Sequence, residues 1–453
     1  MRARLASLLA PLLMVACSDM TAPAPDSSPS GSGAIAPPVP VSSSVGLTAT
    51  EPSAKPNEAP TKPAPPLADA EEAKRFAKAN NAFGIDIYKQ LRETPGNLAV
   101  SPTSLSIALA MAWGGAKGET AAEMKKALHF EGSPAAVMAD AGKMITLLES
   151  PGRPLKLSIA NRLFGEKTYS FEKAYLDSTE KAFGAALEPV DFKTNAEKAR
   201  TTINGWVEQK TEKRIVDLVP GGALDPMTRL VLVNAVYFLA DWQKPFDKSA
   251  TREVDFLVQS TDKKKVPTMH QQGSFNFVEK DGVKLLELPY KGGEMSMLVA
   301  LPNANDGLAA LETRLTPERL SDWTKSLSQQ SLSVALPKFE VNPAKATSLG
   351  GALEKLGMKQ AFDRKKADFT LMANPVDKTE QLVISRVFHK AFVRVDEKGT
   401  EAAAASAVVM STKGAAAPPT LEFKADHPFI YFIRDNKTGL VLFMGRVADP
   451  SVK

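Results

Sequence analysis

Cysteine is almost absent from this chain of 453 residues, in which Cys17 is the single example. One cysteine excludes an internal disulfide framework and a thiolate metal cluster. Histidine is nearly as scarce, and His129, His270, His389 and His427 lie far apart, without the spacing of metal ligands. The sequence therefore predicts no metal site, and we expect no cofactor.

The motifs that identify common enzyme classes are also missing. The sequence has no Gly-x-Ser-x-Gly elbow, no His-Glu-x-x-His and no phosphate loop of Walker type. Gly114–Gly118 is rich in glycine, but it follows a predicted helix rather than a strand, which argues against a phosphate loop. A Ser-His-Asp triad leaves no local signature, because its members need not be adjacent, and nothing here singles one out. We expect a protein that is not an enzyme.

Charge of one sign is not concentrated anywhere in the chain. The net charge is +5, and the densest basic run is Lys263–Lys265, which we interpret as a solvated turn. We therefore expect no nucleic-acid partner. With 43% hydrophobic and 24% charged residues, the composition is ordinary for a soluble globular protein with a large core.

The chain begins with the pattern of an export signal. Arg2 and Arg4 precede an apolar run, Leu5–Ala16, that is too short to span a bilayer. The run ends at Cys17 in a pattern that resembles the lipobox of bacterial lipoproteins, although Met14 replaces the usual Leu or Val. We predict that residues 1–16 are a lipoprotein-type signal peptide and that Cys17 is lipidated. The alternative is a simple secretory signal.

Residues 17–70 are dominated by Pro, Ser, Ala and Thr and contain almost no large apolar side chain. Such a segment cannot bury a core, so we predict a disordered tether. With a lipid on Cys17, the tether would hold a folded domain at a membrane. The expected location is the bacterial cell envelope, on the outer membrane facing the periplasm or the surface, with secretion as the alternative.

Residues 71–453 have the composition of a globular protein, and no second linker interrupts them, which predicts one large domain. Helical patterns come first and strands mostly later, which is typical of the α+β class. One predicted helix carries the apolar stripe of Phe76, Phe83, Ile87 and Leu91, and a second begins at the cap Ser101-Pro102. The other predicted helices are Thr120–Leu128, Pro134–Leu148, Phe171–Phe183, Asn195–Lys210 and about Lys345–Leu356. The predicted strands are Leu98–Val100, Leu230–Leu239, Gly273–Val278, Val283–Leu288, Ser296–Leu301, Leu332–Val341, Leu382–Val395, Phe429–Ile433 and Leu440–Met444.

The stretch from Thr400 to Thr412 has small side chains and one charge, Glu401. Its alanines favour a helix, but the β-branched residues and the Pro-Pro pair that follow do not. At a period of two, one face is uncharged and consists of Thr400, Ala402, Ala404, Ser406, Val408 and Met410. The stretch suits both an exposed loop and a buried strand, which is the property of a switch. Composition alone favours the simpler interpretation, a flexible linker.

Motifs spread along residues 71–453 occur in the order found in the serpins. They are Asn97–Ser104, Gly115–Thr120, Leu232–Phe238, Trp242, Pro245-Phe246, Val266–His270, Leu286–Tyr290, Leu336–Lys338, His389–Ala391, Asp396–Ala403, His427–Phe429 and Phe443–Arg446. The chain therefore resembles that family. The resemblance implies three β-sheets, eight or nine helices and an exposed reactive-centre loop at about residues 397–420.

The resemblance also implies a mechanism, in which a serine protease cleaves the loop, and the segment before the cut then enters the main sheet and traps the protease as a covalent complex. The hinge of that segment would be Glu397, Gly399, Thr400, Glu401 and Ala402, Ala403, Ala404, Ala405. In inhibitory members the cut usually follows the residue sixteen positions after the hinge glutamate, which gives Lys413–Gly414. Lys413 is the only basic residue between Lys398 and Lys424, which suits a trypsin-like enzyme. The loop is a few residues longer than the family pattern, so cuts at Met410, Thr412 or Ala415 stay open.

Other residues take an implied role from their motifs. Ser101, Ser104, Asn234 and His389 match the polar cluster under the opening sheet, and Trp242 and Lys338 match the top of the sheet, where Lys338 can bridge Glu397. The small hinge favours an inhibitory monomer over a non-inhibitory serpin that acts as a carrier, chaperone or adhesion module. An envelope hydrolase is a third, less favoured interpretation.

Overall fold

The computed structural model describes residues 70–150, 152–184, 187–258, 262–377, 380–400 and 421–452. All of them lie in one compact unit, Pro63–Lys453. Several predictions fall outside the described residues: the signal peptide 1–16, Cys17, the tether up to residue 69, Glu401, Ala402–Ala405, Lys413 and Gly414.

Nine α-helices occur among the described residues: α1 (Ala70–Leu91), α2 (Pro102–Gly114), α3 (Gly118–Ala127), α4 (Pro134–Leu148), α5 (Lys173–Phe183), α6 (Phe192–Lys210), α7 (Leu308–Arg314), α8 (Pro317–Lys325) and α9 (Gly350–Lys355). The same residues contain seventeen strands: β1 (Leu98–Val100), β2 (Leu155–Glu166), β3 (Glu188–Val190), β4 (Leu230–Asp241), β5 (Arg252–Leu257), β6 (Lys263–Lys280), β7 (Val283–Pro289), β8 (Met295–Pro302), β9 (Ser328–Pro337), β10 (Phe339–Val341), β11 (Thr347–Ser348), β12 (Arg386–Ala391), β13 (Val393–Val395), β14 (Gly399–Thr400), β15 (Leu421–Lys424), β16 (Phe429–Asp435) and β17 (Val441–Val447).

Local sequence signals explain where the early helices begin and how they pack. The predicted stripe of α1 is buried in the core, and Ile87 on that stripe is fully inaccessible. Helix α2 starts after Ser101, whose side-chain oxygen accepts the amide hydrogen of Ser104, with Pro102 at the first helical position. Every residue of α2 from Pro102 to Trp113 is buried, so this helix runs through the interior.

The described strands form two hydrogen-bonded sheets. The first has nine strands in the order β1-β17-β16-β8-β7-β6-β9-β15, with β5 paired to β6. The second has eight strands in the order β10-β13-β14-β4-β12-β11, with β2 on β4 and β3 on β2. The α+β class is confirmed. Two sheets appear where the resemblance implied three, because the 18-residue strand β6 pairs with β5 at one end and β7 at the other and so joins two groups of strands.

The centre of the second sheet is β4, whose residues from Leu230 to Phe238 are all buried, as the continuous apolar run predicted. One edge of β4 pairs with β2 in antiparallel register from Leu230 to Ala240. Helix α6 and the chain that follows it, to Leu224, pack over β2, β4 and β12 as a second apolar cluster. This packing covers the middle of the second sheet.

Several sequence predictions differ from the structure. Lys263–Lys265 is the start of β6 rather than a turn, because it pairs with residues 255–257 of β5 in antiparallel register. Leu382–Val395 is not one strand.

The segment 382–395 instead forms β12 and β13, which are separated at Phe392, and its first residues, Leu382–Ser385, lie outside the ladder although the hydrophobic ones are buried. In addition, the sequence did not predict the helices α7 and α8 or the strands β2, β3, β5, β11 and β15. Strand β2 escaped notice because Asn161 and Arg162 interrupt its apolar pattern.

Candidate functional site

The candidate site is the seam along the edge of β4 that lies opposite β2. In the lower part of the seam β12 lies parallel to β4, with six residue pairs from Arg386–Val231 to Ala391–Val236. Above these pairs the strands separate, and β14 lies between β4 and β13. Strand β14 is antiparallel to both neighbours, and it is an additional strand in the sheet at the top of the seam.

Two predicted hinge residues form β14. Gly399 lies so close to β4 that an added Cβ atom would be 2.0 Å from the carbonyl oxygen of Ala240, so only glycine fits there. Thr400 is fully buried and pairs with Ala240 and Val395. Its hydroxyl group shares a hydrogen bond of 2.6 Å with the hydroxyl group of Tyr290. The start of the predicted mobile segment is therefore held in the sheet.

Trp242 fixes the turn that leads into β14. Its backbone amide donates to the carbonyl oxygen of Lys398 at 2.6 Å, and its indole Nε1 donates to that of Asp396 at 3.0 Å. The indole is buried and stacks on Tyr290, with ring centroids 4.6 Å apart. Trp242 and Tyr290 thus both hydrogen-bond the segment Asp396–Thr400, which contains the predicted hinge residues.

Glu397 and Lys338 form the predicted pair at the same end of the seam. Their charged atoms are 3.0 Å apart, and Thr251 donates a second hydrogen bond to the carboxylate at 2.9 Å. Burial raises the pKa of Glu397, but hydrogen bonds from its own backbone amide, Lys338 and Thr251 outweigh this effect and hold the pKa below its usual range. The carboxylate is therefore ionised at neutral pH.

The four residues predicted as a polar cluster meet beneath the lower seam. The backbone amide of Ser101 donates to Nε2 of His389 at 3.1 Å, and the Nδ1 of His389 hydrogen-bonds the side-chain oxygen of Asn234. Asn234 donates to the hydroxyl oxygen of Ser104 at 2.5 Å. Since Nε2 accepts, the proton of the neutral ring lies on Nδ1. Burial lowers the pKa of His389 to about 3, which keeps the ring neutral.

Asn161 is a fifth member of this cluster that the sequence did not reveal. Its side-chain oxygen accepts from Ser104 at 2.6 Å and from Asn234 at 2.8 Å, and its amide donates to the carbonyl oxygen of Ser104 at 2.8 Å. It belongs to β2, which was not predicted. The available signal was a polar side chain inside the mainly apolar run Ile159–Phe164. With Asn161, the cluster joins α2, β2, β4 and β12.

The cluster and the hinge occupy two levels of the same seam. Asn234 and Ala240 are six residues apart on β4, which corresponds to about 20 Å. The structure therefore brings together Ser101, Ser104, Asn234 and His389 at one level, and Trp242, Lys338, Glu397, Gly399 and Thr400 at the other. The roles assigned to these residues stay predictions.

Other kinds of site find no support in this part of the chain. Within the described ranges, no group of three or more His, Cys, Asp and Glu side chains could hold a metal ion. Nor do the described helices include one with the length and apolar character needed to cross a membrane.

Comparison with known proteins gives consistent matches. The sequence model of the family described as Serpin (serine protease inhibitor) matches residues 78–450. The chain is 41% identical over 386 residues to the leukocyte elastase inhibitor of Equus caballus, covering 83% of this chain and all of that protein. It is 40% identical over 398 residues to serpin B3 of Homo sapiens, covering 83% and 99%. Among solved structures, Serpin48 of Tenebrio molitor matches with a TM-score of 0.73 at 35% identity, covering 83% of this chain and 98% of that one.

Proposed function

Because the chain belongs to the serpin family of serine protease inhibitors, we propose that it traps a trypsin-like serine protease by loop cleavage and insertion. The observation that carries this proposal is the position of β14 between β4 and β13. A strand that continues from Thr400 would run down the seam between β4 and β12. It would be antiparallel to both of them.

Insertion along this path has a favourable free energy. The parallel β4–β12 pair would be replaced by two antiparallel pairs, and antiparallel pairing is slightly more stable per residue. About ten additional backbone hydrogen bonds at about 1 kcal/mol each, together with apolar burial, give a large driving force. The small side chains on the uncharged face of Thr400–Met410 suit the buried side of such a strand. A protease bound to the cut end as an acyl-enzyme would be carried along and distorted.

The proposed scissile bond is Lys413–Gly414, which lies outside the described residues. It is supported by the count from Glu397 and by the absence of another basic residue between Lys398 and Lys424. A trypsin-like specificity pocket binds a long cationic side chain. Cleavage after Met410, Thr412 or Ala415 would instead indicate a chymotrypsin-like or elastase-like target.

The test mixes the full chain with trypsin and separates the products on a denaturing gel. We expect a covalent band at the summed mass, a released fragment that starts at Gly414, and higher thermal stability of the cleaved chain. Lys413→Ala should lose the trypsin complex, whereas the matched control Lys424→Ala, on the exposed strand β15, should keep it. Cleavage at Lys413 without a covalent band or a rise in stability would refute inhibition and favour the carrier, chaperone or adhesion role.

We also propose that the mature protein is a monomer attached by lipid on Cys17 to a membrane of the bacterial cell envelope. The support is the basic start, the short apolar run and the single cysteine at its end, followed by the Pro-rich segment 17–70. Acyl chains confer membrane affinity that grows with each buried methylene. Metabolic labelling with radioactive palmitate should mark the wild type in the membrane fraction. Cys17→Ser should lose the label and become soluble, and a labelled Cys17→Ser protein would contradict the proposal.

A further inference from the structure

A cavity of 670 Å³ lies between α1 and the C-terminal part of α3, and the first residues of α8 also line it. None of the hinge or polar-cluster residues belongs to its lining. The volume falls within the range of about 300–1,000 Å³ that is typical of small-molecule sites. The cavity is therefore separate from the seam and large enough for an organic ligand.

Small side chains on the facing helices create this space. Ala79 and Ala82 line it from α1, and Ala122 lines it from α3, where longer side chains would fill the gap. The apolar lining is completed by Phe130, whose ring packs against Trp113 with centroids 5.3 Å apart. The chain turns after α3 through His129, which has a left-handed backbone with φ of 55°. Residues other than glycine with a strained backbone cluster at functional sites.

The charged side chains around the cavity are partly paired with each other. Lys78 pairs with Glu131 at 3.2 Å, and His129 bonds Asp86 at 2.7 Å. Lys125, in the last turn of α3, lies on the same helical face as Ala122.

Lys125 and its neighbour Lys126 have no acidic partner within 4.0 Å in the part of the chain that the structure describes. Glu318, at the start of α8, lines the cavity without a basic partner among the described residues. The formal charges of the lining balance, but the two unpaired lysines, Lys125 and Lys126, are neighbours on α3 beside the apolar lining.

We propose that this cavity binds a small amphipathic organic anion. The apolar body of the ligand lies against Ala82, Ala122 and Phe130. Its carboxylate or sulfonate lies at Lys125 and Lys126. This activity is independent of protease inhibition, because it uses none of the residues of the seam.

The test uses 8-anilinonaphthalene-1-sulfonate as the anionic probe and N-phenyl-1-naphthylamine as its neutral analogue, with the full chain. We expect saturable fluorescence with one sulfonate bound per chain. Bound probe should quench tryptophan emission, since Trp113 packs on the ring of Phe130. Binding without saturation, or without quenching, contradicts a defined site at this position.

Substitutions in the cavity test whether the probes bind at this position. Ala82→Phe and Ala122→Phe fill the cavity from opposite helices at partly or fully exposed positions, and each should weaken both probes at least tenfold. The double variant Lys125→Ala/Lys126→Ala should weaken the sulfonate about tenfold and change the neutral probe less than twofold. Lys181→Ala, which removes a lysine from the last turn of α5, is the matched control and should change neither.

Circular dichroism and thermal melting verify that each variant is folded, and the two phenylalanine variants serve as independent replacements for one another. The proposal is overturned if a folded phenylalanine variant keeps the wild-type affinity. It is equally overturned if the lysine variant weakens both probes alike, or if Lys181→Ala weakens the sulfonate as much as the double variant does.

Discussion

Replacing Glu397 with lysine tests how the top of the seam is held closed. Glu397 joins three parts of the fold: its carboxylate binds Lys338 and Thr251, and its carbonyl oxygen accepts the amide hydrogen of Phe246 at 2.8 Å. Glu397→Lys removes both carboxylate interactions and places a cation against Lys338. We expect the connection between the hinge turn and Lys338 to open.

The magnitude follows from burial. The side chain of Glu397 is 6% exposed and that of Lys338 is 35% exposed. Loss of one partner from a buried pair costs about 3–5 kcal/mol, and the partial exposure of Lys338 places this case near the lower limit, at about 3 kcal/mol. For a domain of about 380 residues this corresponds to a fall in apparent Tm of roughly 4 °C.

The pH of the measurement matters because the native pKa of Glu397 is lowered from 4.5. A carboxyl group with a depressed native pKa contributes its stabilisation fully above the unfolded pKa. The contribution is lost as the pH falls through the native pKa. The difference between the wild type and the variant is therefore complete at pH 7 and should shrink below pH 4.5.

The assay combines thermal melting with size-exclusion chromatography after prolonged warming. Glu397→Lys should form oligomers, because an opened seam can accept the loop of a second molecule, whereas the wild type should stay monomeric. The control Glu422→Lys makes the same charge change in an exposed pair with Lys424, worth at most about 1 kcal/mol. The reasoning fails if Glu397→Lys stays monomeric and melts within 1 °C, roughly the assay error, of this control.

Three further predictions concern the rest of the seam. His389 is kept neutral by burial, while the unfolded chain binds a proton below pH 6.5, so stability should fall by about 2 kcal/mol between pH 6.5 and 5, and His389→Gln should flatten this dependence in urea unfolding curves. Asn161→Ala and Asn234→Ala should each cost about 2 kcal/mol, and the double variant should cost at least about 1 kcal/mol less than their sum, because they share one hydrogen-bond network. Gly399→Ala places a Cβ atom 2.0 Å from the carbonyl oxygen of Ala240, so a gel should show more cleaved chain and less covalent complex.

Elements with local signals were predicted from the sequence with accurate boundaries. Helix α4 was predicted as Pro134–Leu148 and observed as such, because Ser133 caps it and Pro134 opens it. Strand β4 was predicted from Leu230 to Leu239 and extends to Asp241, since a strand buried on both faces is continuously apolar. Signals of this kind lie within the element itself.

Features that depend on distant partners were missed or divided incorrectly. Strand β2 is stabilised by pairing with β4, which lies more than sixty residues later in the chain, and no local pattern records that register. Because β2 was missed, Asn161 was missed with it. His389 shows the opposite case: its motif gave its position, and the structure shows a buried histidine with both ring nitrogens hydrogen-bonded.

The hinge shows why one sequence predicted two states. The small residues that follow Thr400 suit both a loop and a strand, and β14 begins the strand. About ten backbone hydrogen bonds at about 1 kcal/mol each are comparable with the whole stability of a typical domain, about 5–15 kcal/mol. Before insertion the chain lacks these hydrogen bonds, so its fold is maintained by a slow rate of insertion rather than by equilibrium stability. The β4–β12 pairs and the cluster around Asn234 cross the path of the strand, so we infer that this rate is set by the opening of the lower seam.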